Sequence, residues 1–134
     1  MKVGIYKEVQ IDTSHRLLHY QGKCANLHGH RWRVEIWMEG TPDSATQILM
    51  DYSVIKKIVD KYDHQIILNQ DDPMAARIRE FHPVLTTAGD PTSELMAGLI
   101  HDDLTAYCTE HGIRATIPKI RVWESPTSFA ELTE

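Results

Sequence analysis

Two histidines one residue apart, His28 and His30, flank Gly29 immediately before a run of alternating apolar and polar residues. If a strand begins there, both imidazoles project to the same side, about 6.5–7 Å apart at the backbone, and can chelate one metal ion. His15 ends an earlier alternating segment at the same odd parity as Val9 and Ile11. An antiparallel pairing of the two segments would bring it beside the pair. Three neutral imidazoles suit a catalytic zinc, because they leave a fourth tetrahedral position for water or substrate. A lone histidine at a strand end is ordinarily a polar surface residue, so the grouping is what points to a metal. Cys24, four residues before His28, admits two roles. As a fourth ligand it would close the site into a structural zinc held by one cysteine and three histidines. As a catalytic group, beside Lys23 and near a dication, its thiolate is favoured and can serve as a base or a nucleophile. Asp63-His64 is a second pairing of interest, since an aspartate can orient an imidazole and stabilise its cation. Glu124, in Val122-Trp123-Glu124-Ser125-Pro126, is an acid beside apolar residues that could accept hydrogen bonds from a guanidine-like edge.

The elements that must position these groups follow from periodicity. Val3 to Ser14 alternates as a half-buried strand, broken only by Lys7, and Trp32, Val34, Ile36 and Met38 mark a cleaner one that ends at Gly40-Thr41-Pro42-Asp43. Leu17 to Leu27 is a largely polar connection. From Asp51 to Tyr62 the apolar positions Val54, Ile55, Ile58, Val59 and Tyr62 take a helical period, with Asp51 as N-cap. Gln65 to Pro91 is punctuated by Asp71-Asp72-Pro73, His82-Pro83 and Gly89-Asp90-Pro91, and reads mostly as loop with a short helical turn near Met74 to Phe81. A second long helix of about twenty residues follows, capped by Thr92 or Asp90 and stopped by Gly112. Its broad apolar face includes Leu95, Met96, Leu99, Ile100, Leu104, Tyr107 and Cys108, so Cys108 reads as an inert buried thiol. Ala115 to Leu132 reads as a strand, a turn at Ser125-Pro126-Thr127 and a last short strand. The order ββααββ argues for an α+β domain with helices on one face of an antiparallel sheet.

Composition bounds the partners. The 134 residues are 42% hydrophobic and 25% charged, as expected of one globular domain spanning residues 1–134. A chain of this size buries roughly 65–70% of its unfolded surface and needs no disulfide framework. Its two cysteines agree with a reduced, cytoplasmic protein, and neither a signal segment nor a membrane-length apolar run is visible. Fourteen basic against nineteen acidic residues give a net charge of −5, which disfavours a broad nucleic-acid footprint. Eight histidines are about three times common usage.

Taken in order, His15, Cys24-Ala25-Asn26-Leu27-His28-Gly29-His30, Asp63-His64, Pro91-Thr92-Ser93-Glu94 and Trp123-Glu124-Ser125-Pro126 resemble the family of 6-pyruvoyl-tetrahydropterin synthase and 6-carboxy-5,6,7,8-tetrahydropterin synthase. Cysteine, three residues and His-Gly-His form the most specific part, and the match runs along nearly the whole chain. The resemblance implies the tunnelling fold, a four-stranded antiparallel sheet with two helices, assembled as a homo-oligomer of two stacked trimers with sites between subunits. It implies Zn2+ on His15, His28 and His30, Cys24 as the base, and His64 supported by Asp63 as a proton relay. Glu124 would anchor the pterin ring, with Thr92 and Glu94 lining the same pocket.

The implied substrate is 7,8-dihydroneopterin triphosphate. The carboxy route releases triphosphate and acetaldehyde on the way to 7-deazapurines such as queuosine, whereas the pyruvoyl route eliminates triphosphate only. The carboxy route is the leading expectation, since the stretch from Lys23-Cys24 to His28-Gly29-His30 looks closer to the bacterial pattern. Arg16, Lys23 and Arg31 are the nearby cations for a triphosphate. The reading from another class is a non-catalytic, zinc-stabilised binding module in which Cys24 closes the metal site.

Overall fold

The computed structural model describes residues 1–134. Two long strands, β1 (Val3–His15) and β2 (His28–Gly40), pair antiparallel along their whole length, with Val3 opposite Gly40 and His15 opposite His28. The alternation that predicts them also decides which side they bury. Val9, Ile11, Trp32, Val34, Ile36 and Met38 all point to one face and are buried. At the far end Gly40 is required, because a Cβ there would sit 1.9 Å from the Arg114 carbonyl oxygen.

Asp51 caps α1 (Tyr52–Val59), its carboxylate accepting from the Ser53 N–H at 2.8 Å, and a 3-10 turn over Asp60–Tyr62 completes the expected three turns. Helix α3 (Ser93–Glu110) is capped by Thr92, whose hydroxyl accepts from the Leu95 N–H at 3.0 Å. Gly112, at φ 64°, supplies the left-handed residue beyond its end. Both helices lie on the apolar face of the sheet. Ile55, Val59, Met96, Ile100 and Leu104 interlock with the inward strand residues in one core, where each fully buried aliphatic side chain contributes about 1.5–3 kcal/mol. Cys108 is in that core, and burial pushes its thiol up. Strands β5 (Ala115–Ser125) and β6 (Ser128–Thr133) extend the sheet antiparallel from β2.

The antiparallel ββ, α, α, ββ frame is therefore as the periodicity and the resemblance predict, but the sheet is wider. Its order puts two more strands on the β1 edge, β3 (Ile66–Asn69) beside β1 and then a last strand, β4 (Leu85–Thr87), both paired parallel, with α2 (Pro73–Arg79) crossing between them. The segment that reads mostly as loop thus holds two of the six strands, while the helical turn expected near Met74 to Phe81 is α2. Ile67 faces the main core, while Leu68 faces the other way into a small cluster with Ala75 and Ile78 of α2. A strand covered on both sides has no alternation to detect, and a three-residue strand is too short to show one.

Candidate metal centre and active site

The histidines meet because strand parity carries them to one side and the register aligns them. His15 stands directly opposite His28, and His30 opposite Thr13. The ring centroids of His15 lie 4.7 Å from His28 and 5.3 Å from His30, and those of His28 and His30 are 4.7 Å apart. Trp32, next on the same side of β2, packs edge-on against the rings of His15 and His30 at 4.9 and 5.7 Å and floors the cluster. Glu124, near the end of β5, completes it: one ligand atom from each of His15, His28, His30 and Glu124 lies within 4.8 Å of the others.

The proton pattern leaves this group short of a cation. His15 Nδ1 donates to the Pro91 carbonyl at 2.7 Å and His28 Nδ1 to the Asn26 carbonyl at 2.6 Å, so both rings turn Nε2 lone pairs inward. His15 Nε2 and His30 Nε2 are buried without a hydrogen-bond partner. Glu124 Oε1 stands 3.2 and 3.4 Å from them. Burial holds both His15 and His30 below the ordinary imidazole value, despite the opposing pull of Glu124, and so keeps them in the neutral form that ligates. Orphaned nitrogens facing a carboxylate fit a metal ion, and the carbonyls that orient the outer ring nitrogens are the usual second layer of such a site.

Cys24 is half-buried in a 3-10 turn, Lys23–Ala25, and is not among the converging ligand atoms. The fourth group at the cluster is the Glu124 carboxylate. The Leu17 N–H, two residues past the end of β1, donates to the Cys24 carbonyl at 2.8 Å.

Asp63 and His64 lie on the other side of the β1 end. The Asp12 N–H donates to the Asp63 carboxylate at 2.8 Å and the His64 N–H to the Asp12 carbonyl at 2.7 Å, so the dipeptide docks through one strand residue. This docking holds His64 at φ 56°, an uncommon backbone for any residue but glycine. Its Nδ1 is 2.9 Å from the Asp63 carboxylate, which raises the imidazole above its ordinary value by hydrogen bond and charge. His64 is exposed and shares a groove of about 450 Å³ with Asp12, Gly29, His30 and Arg31. A second groove of about 420 Å³ is lined by His30, Arg31, Arg33, Trp123, Glu124 and Pro126 among others. His30 and Arg31 belong to both, so the metal cluster and the Asp63-His64 pair open toward neighbouring space.

Thr92 and Glu94 line neither groove of their own chain. The Thr92 hydroxyl is taken by the helix cap, and exposed Glu94 accepts from the Ser93 hydroxyl at 2.8 Å. Of the cations expected near a triphosphate, Arg16 is committed to Asp72 in a two-pronged pair of 2.5 and 2.6 Å. Withdrawing it from that buried carboxylate would cost roughly 3–5 kcal/mol, so Arg16 is not a free phosphate ligand. Arg31 makes only an exposed pair with Asp12, and exposed Lys23 has no ion-pair partner. Sequence reading misses the Pro91 and Asn26 carbonyls and the Asp12 backbone altogether, because a main-chain ligand leaves no residue signature.

The family model for 6-pyruvoyl tetrahydropterin synthase matches residues 4–134. The chain is similar to a Haemophilus influenzae protein named 6-carboxy-5,6,7,8-tetrahydropterin synthase, 33% identical, with 97% of this chain and 98% of that one covered. A Rickettsia bellii protein of the same name is 26% identical over 94% of this chain and 96% of its own. Among solved structures, a Wolinella succinogenes protein shares the fold at TM-score 0.76 and 19% identity, covering 100% of this chain and 99% of that one. The 6-pyruvoyl tetrahydropterin synthase of Caenorhabditis elegans does so at TM-score 0.67 and 21% identity, covering 100% and 96%. With the fold, the histidine cluster and a near full-length match together, the chain belongs to the 6-pyruvoyl tetrahydropterin synthase family and is an enzyme of the tetrahydropterin-forming class.

Proposed function

We propose that the protein is a zinc-dependent lyase that converts 7,8-dihydroneopterin triphosphate and one water to 6-carboxy-5,6,7,8-tetrahydropterin, acetaldehyde and triphosphate. The observation that carries this reading is the convergence of three imidazoles, two of which, His15 and His30, have buried and orphaned inward nitrogens, in a chain of this family. The curated relatives that share its length carry the carboxy name, which supports the carboxy over the pyruvoyl route.

When bound by His15, His28 and His30, zinc would supply Lewis-acid polarisation of the substrate's side-chain hydroxyls. Cys24 is the base that withdraws a side-chain proton. His64, biased toward its cation by Asp63, donates and recovers a proton from the exposed groove. Glu124, standing between the imidazoles and its own groove, accepts from the guanidine-like edge of the pterin ring. Arg31 and Lys23 are the cations left for the triphosphate. Thr92 and Glu94, which line neither of these two grooves in one chain, meet substrate across a subunit boundary, so the active species is a homo-oligomer, two stacked trimers. The product feeds 7-deazapurine synthesis of the queuosine type in the cytoplasm.

The test is mass-spectrometric product analysis after zinc-loaded protein is incubated with enzymatically generated 7,8-dihydroneopterin triphosphate, with sedimentation of the active fraction. The expected result is the 6-carboxy product with acetaldehyde, from an oligomer, lost in Cys24→Ala while zinc stays bound. A 6-pyruvoyl product would move the chain to the other branch of the family. Unchanged substrate would overturn the reading.

A further inference from the structure

The connection between β1 and β2, residues 16–27, carries Cys24 and joins His15 to His28. Its own backbone bonds, such as the Leu17 N–H to the Cys24 carbonyl at 2.8 Å, tie the loop only to itself. Its 3-10 turn has no side-chain cap and contributes no buried residue. What fixes it comes from the segment that widens the sheet. Asp90 accepts from the Leu18 N–H at 3.0 Å and the His19 N–H at 2.9 Å, while Asn69 at the end of β3 donates to the same carboxylate at 3.0 Å. Asp72, the cap of α2, receives the Arg16 fork, and the third arm of that guanidinium reaches the Ala25 carbonyl at 3.5 Å, one residue from Cys24. Asp90 also directly precedes Pro91, whose carbonyl orients His15.

We infer that Asp90, with Asn69 and the Arg16–Asp72 pair, forms a clamp that fixes the Cys24 loop relative to the histidine cluster. Asp90 and Asp72 are thus positioning residues for the reaction. Charge-assisted bonds of a carboxylate to two successive backbone N–H groups are stronger than neutral ones and set a loop's direction as well as its distance. The stretch from β3 to the start of α3 acquires a purpose beyond width: it carries three of the clamp's groups, Asn69, Asp72 and Asp90. Because misplacement by about 1 Å can cost about a hundredfold in rate, loosening the clamp should be felt at the thiol rather than at the metal. The link to turnover rests on the role proposed for Cys24; the link to loop geometry does not.

The experiment compares zinc-loaded full-length wild type with Asp90→Ala, Asp90→Asn and Arg16→Lys, reading turnover, zinc content and the iodoacetamide alkylation rates of Cys24 and Cys108 by peptide mass. In Asp90→Ala we expect full zinc content, slow Cys108 alkylation, a Cys24 rate changed by about threefold or more, and a kcat lowered by about tenfold with KM within about twofold. Asp90→Asn keeps an acceptor for one of the two N–H groups and recovers most of both effects. Arg16→Lys keeps the charge without the fork, reproduces the loosening, and decides the matter if Asp90→Ala does not fold. Wild-type alkylation of Cys24 in both Asp90→Ala and Arg16→Lys, or equal exposure of Cys24 and core Cys108, would overturn the clamp. If wild type itself leaves the pterin unchanged, the proposed function falls while the alkylation rates still decide the clamp.

Discussion

Glu124 is the residue whose position differs most from what its sequence context conveys. At the end of an alternating strand it looks like an ordinary exposed acid, yet its carboxylate stands within 3.2 and 3.4 Å of two buried imidazole nitrogens. The histidines themselves were legible, because parity along β1 and β2 and one antiparallel register suffice to gather them. Glu124 comes from a third strand, and its approach depends on the pairing of Arg33 with Trp123, which no local pattern encodes. Two outcomes separate a ligand from a substrate anchor. If Glu124 holds the pterin, Glu124→Gln keeps about one zinc per chain and loses turnover, whereas His28→Ala loses the metal. Zinc loss in Glu124→Gln equal to that in His28→Ala would make the site a closed, four-ligand one, since three protein ligands with an open position are what catalysis requires. Metal content after gel filtration and product formation decide it.

At the scale of elements, the helices were legible from their caps and the short strands were not. Asp51 and Thr92 each place an oxygen where the first free N–H groups of a helix need one, and Gly112 ends α3 in the left-handed region. By contrast β3 and β4 have four and three residues, and the punctuation of Pro73, Pro83 and Gly89-Asp90-Pro91 that makes the segment look like loop in fact bounds elements. Asp72-Pro73 is such a boundary: a cap followed by proline at the first helical position. Thr92, proposed above to meet substrate, also has a structural duty. Its side chain is spent on the Leu95 N–H, so Thr92→Ala should lose about 1 kcal/mol of stability, with Thr92→Ser close to wild type. Urea unfolding at fixed protein concentration measures this. Turnover that falls further than this loss of stability explains would support the proposed contact with substrate across a subunit boundary, and turnover that falls only with stability would leave Thr92 as a cap alone.

The whole molecule is a sheet with two unlike faces, one sealed by α1 and α3 and the other carrying aromatic and charged side chains. On that second face Glu35 lies at the junction of three strands. It is only 7% exposed, accepts from the Tyr6 hydroxyl of β1 at 2.7 Å and the Trp123 indole of β5 at 2.5 Å, and has Arg33 and Arg121 close by, with Glu8 opposite on β1. Burial pushes the Glu35 carboxyl up, but these donors and the two guanidinium charges outweigh it and hold it below the usual carboxylate value. The Tyr6 hydroxyl is pushed up to about 12 by burial and by its bond to Glu35. In the window below the ordinary carboxylate value the unfolded chain binds the proton that the folded one refuses, so stability rises with pH there. The Glu35 contribution is therefore complete above about pH 4.5 and is lost as pH falls through its folded value. Glu35→Gln keeps the shape but presents an amide where one acceptor oxygen was, costing about 1–3 kcal/mol at neutral pH. The difference between wild type and Glu35→Gln in urea midpoint should thus be largest near pH 7 and shrink as pH falls toward 3.5. The other depressed carboxylates, Asp12, Asp43, Asp51, Asp63, Asp72 and Asp90, titrate in both proteins and cancel in that difference. A gap of the same size at both pH values would mean that the variant's cost lies in the amide donor set against Tyr6 or Trp123 and not in the lost charge of Glu35.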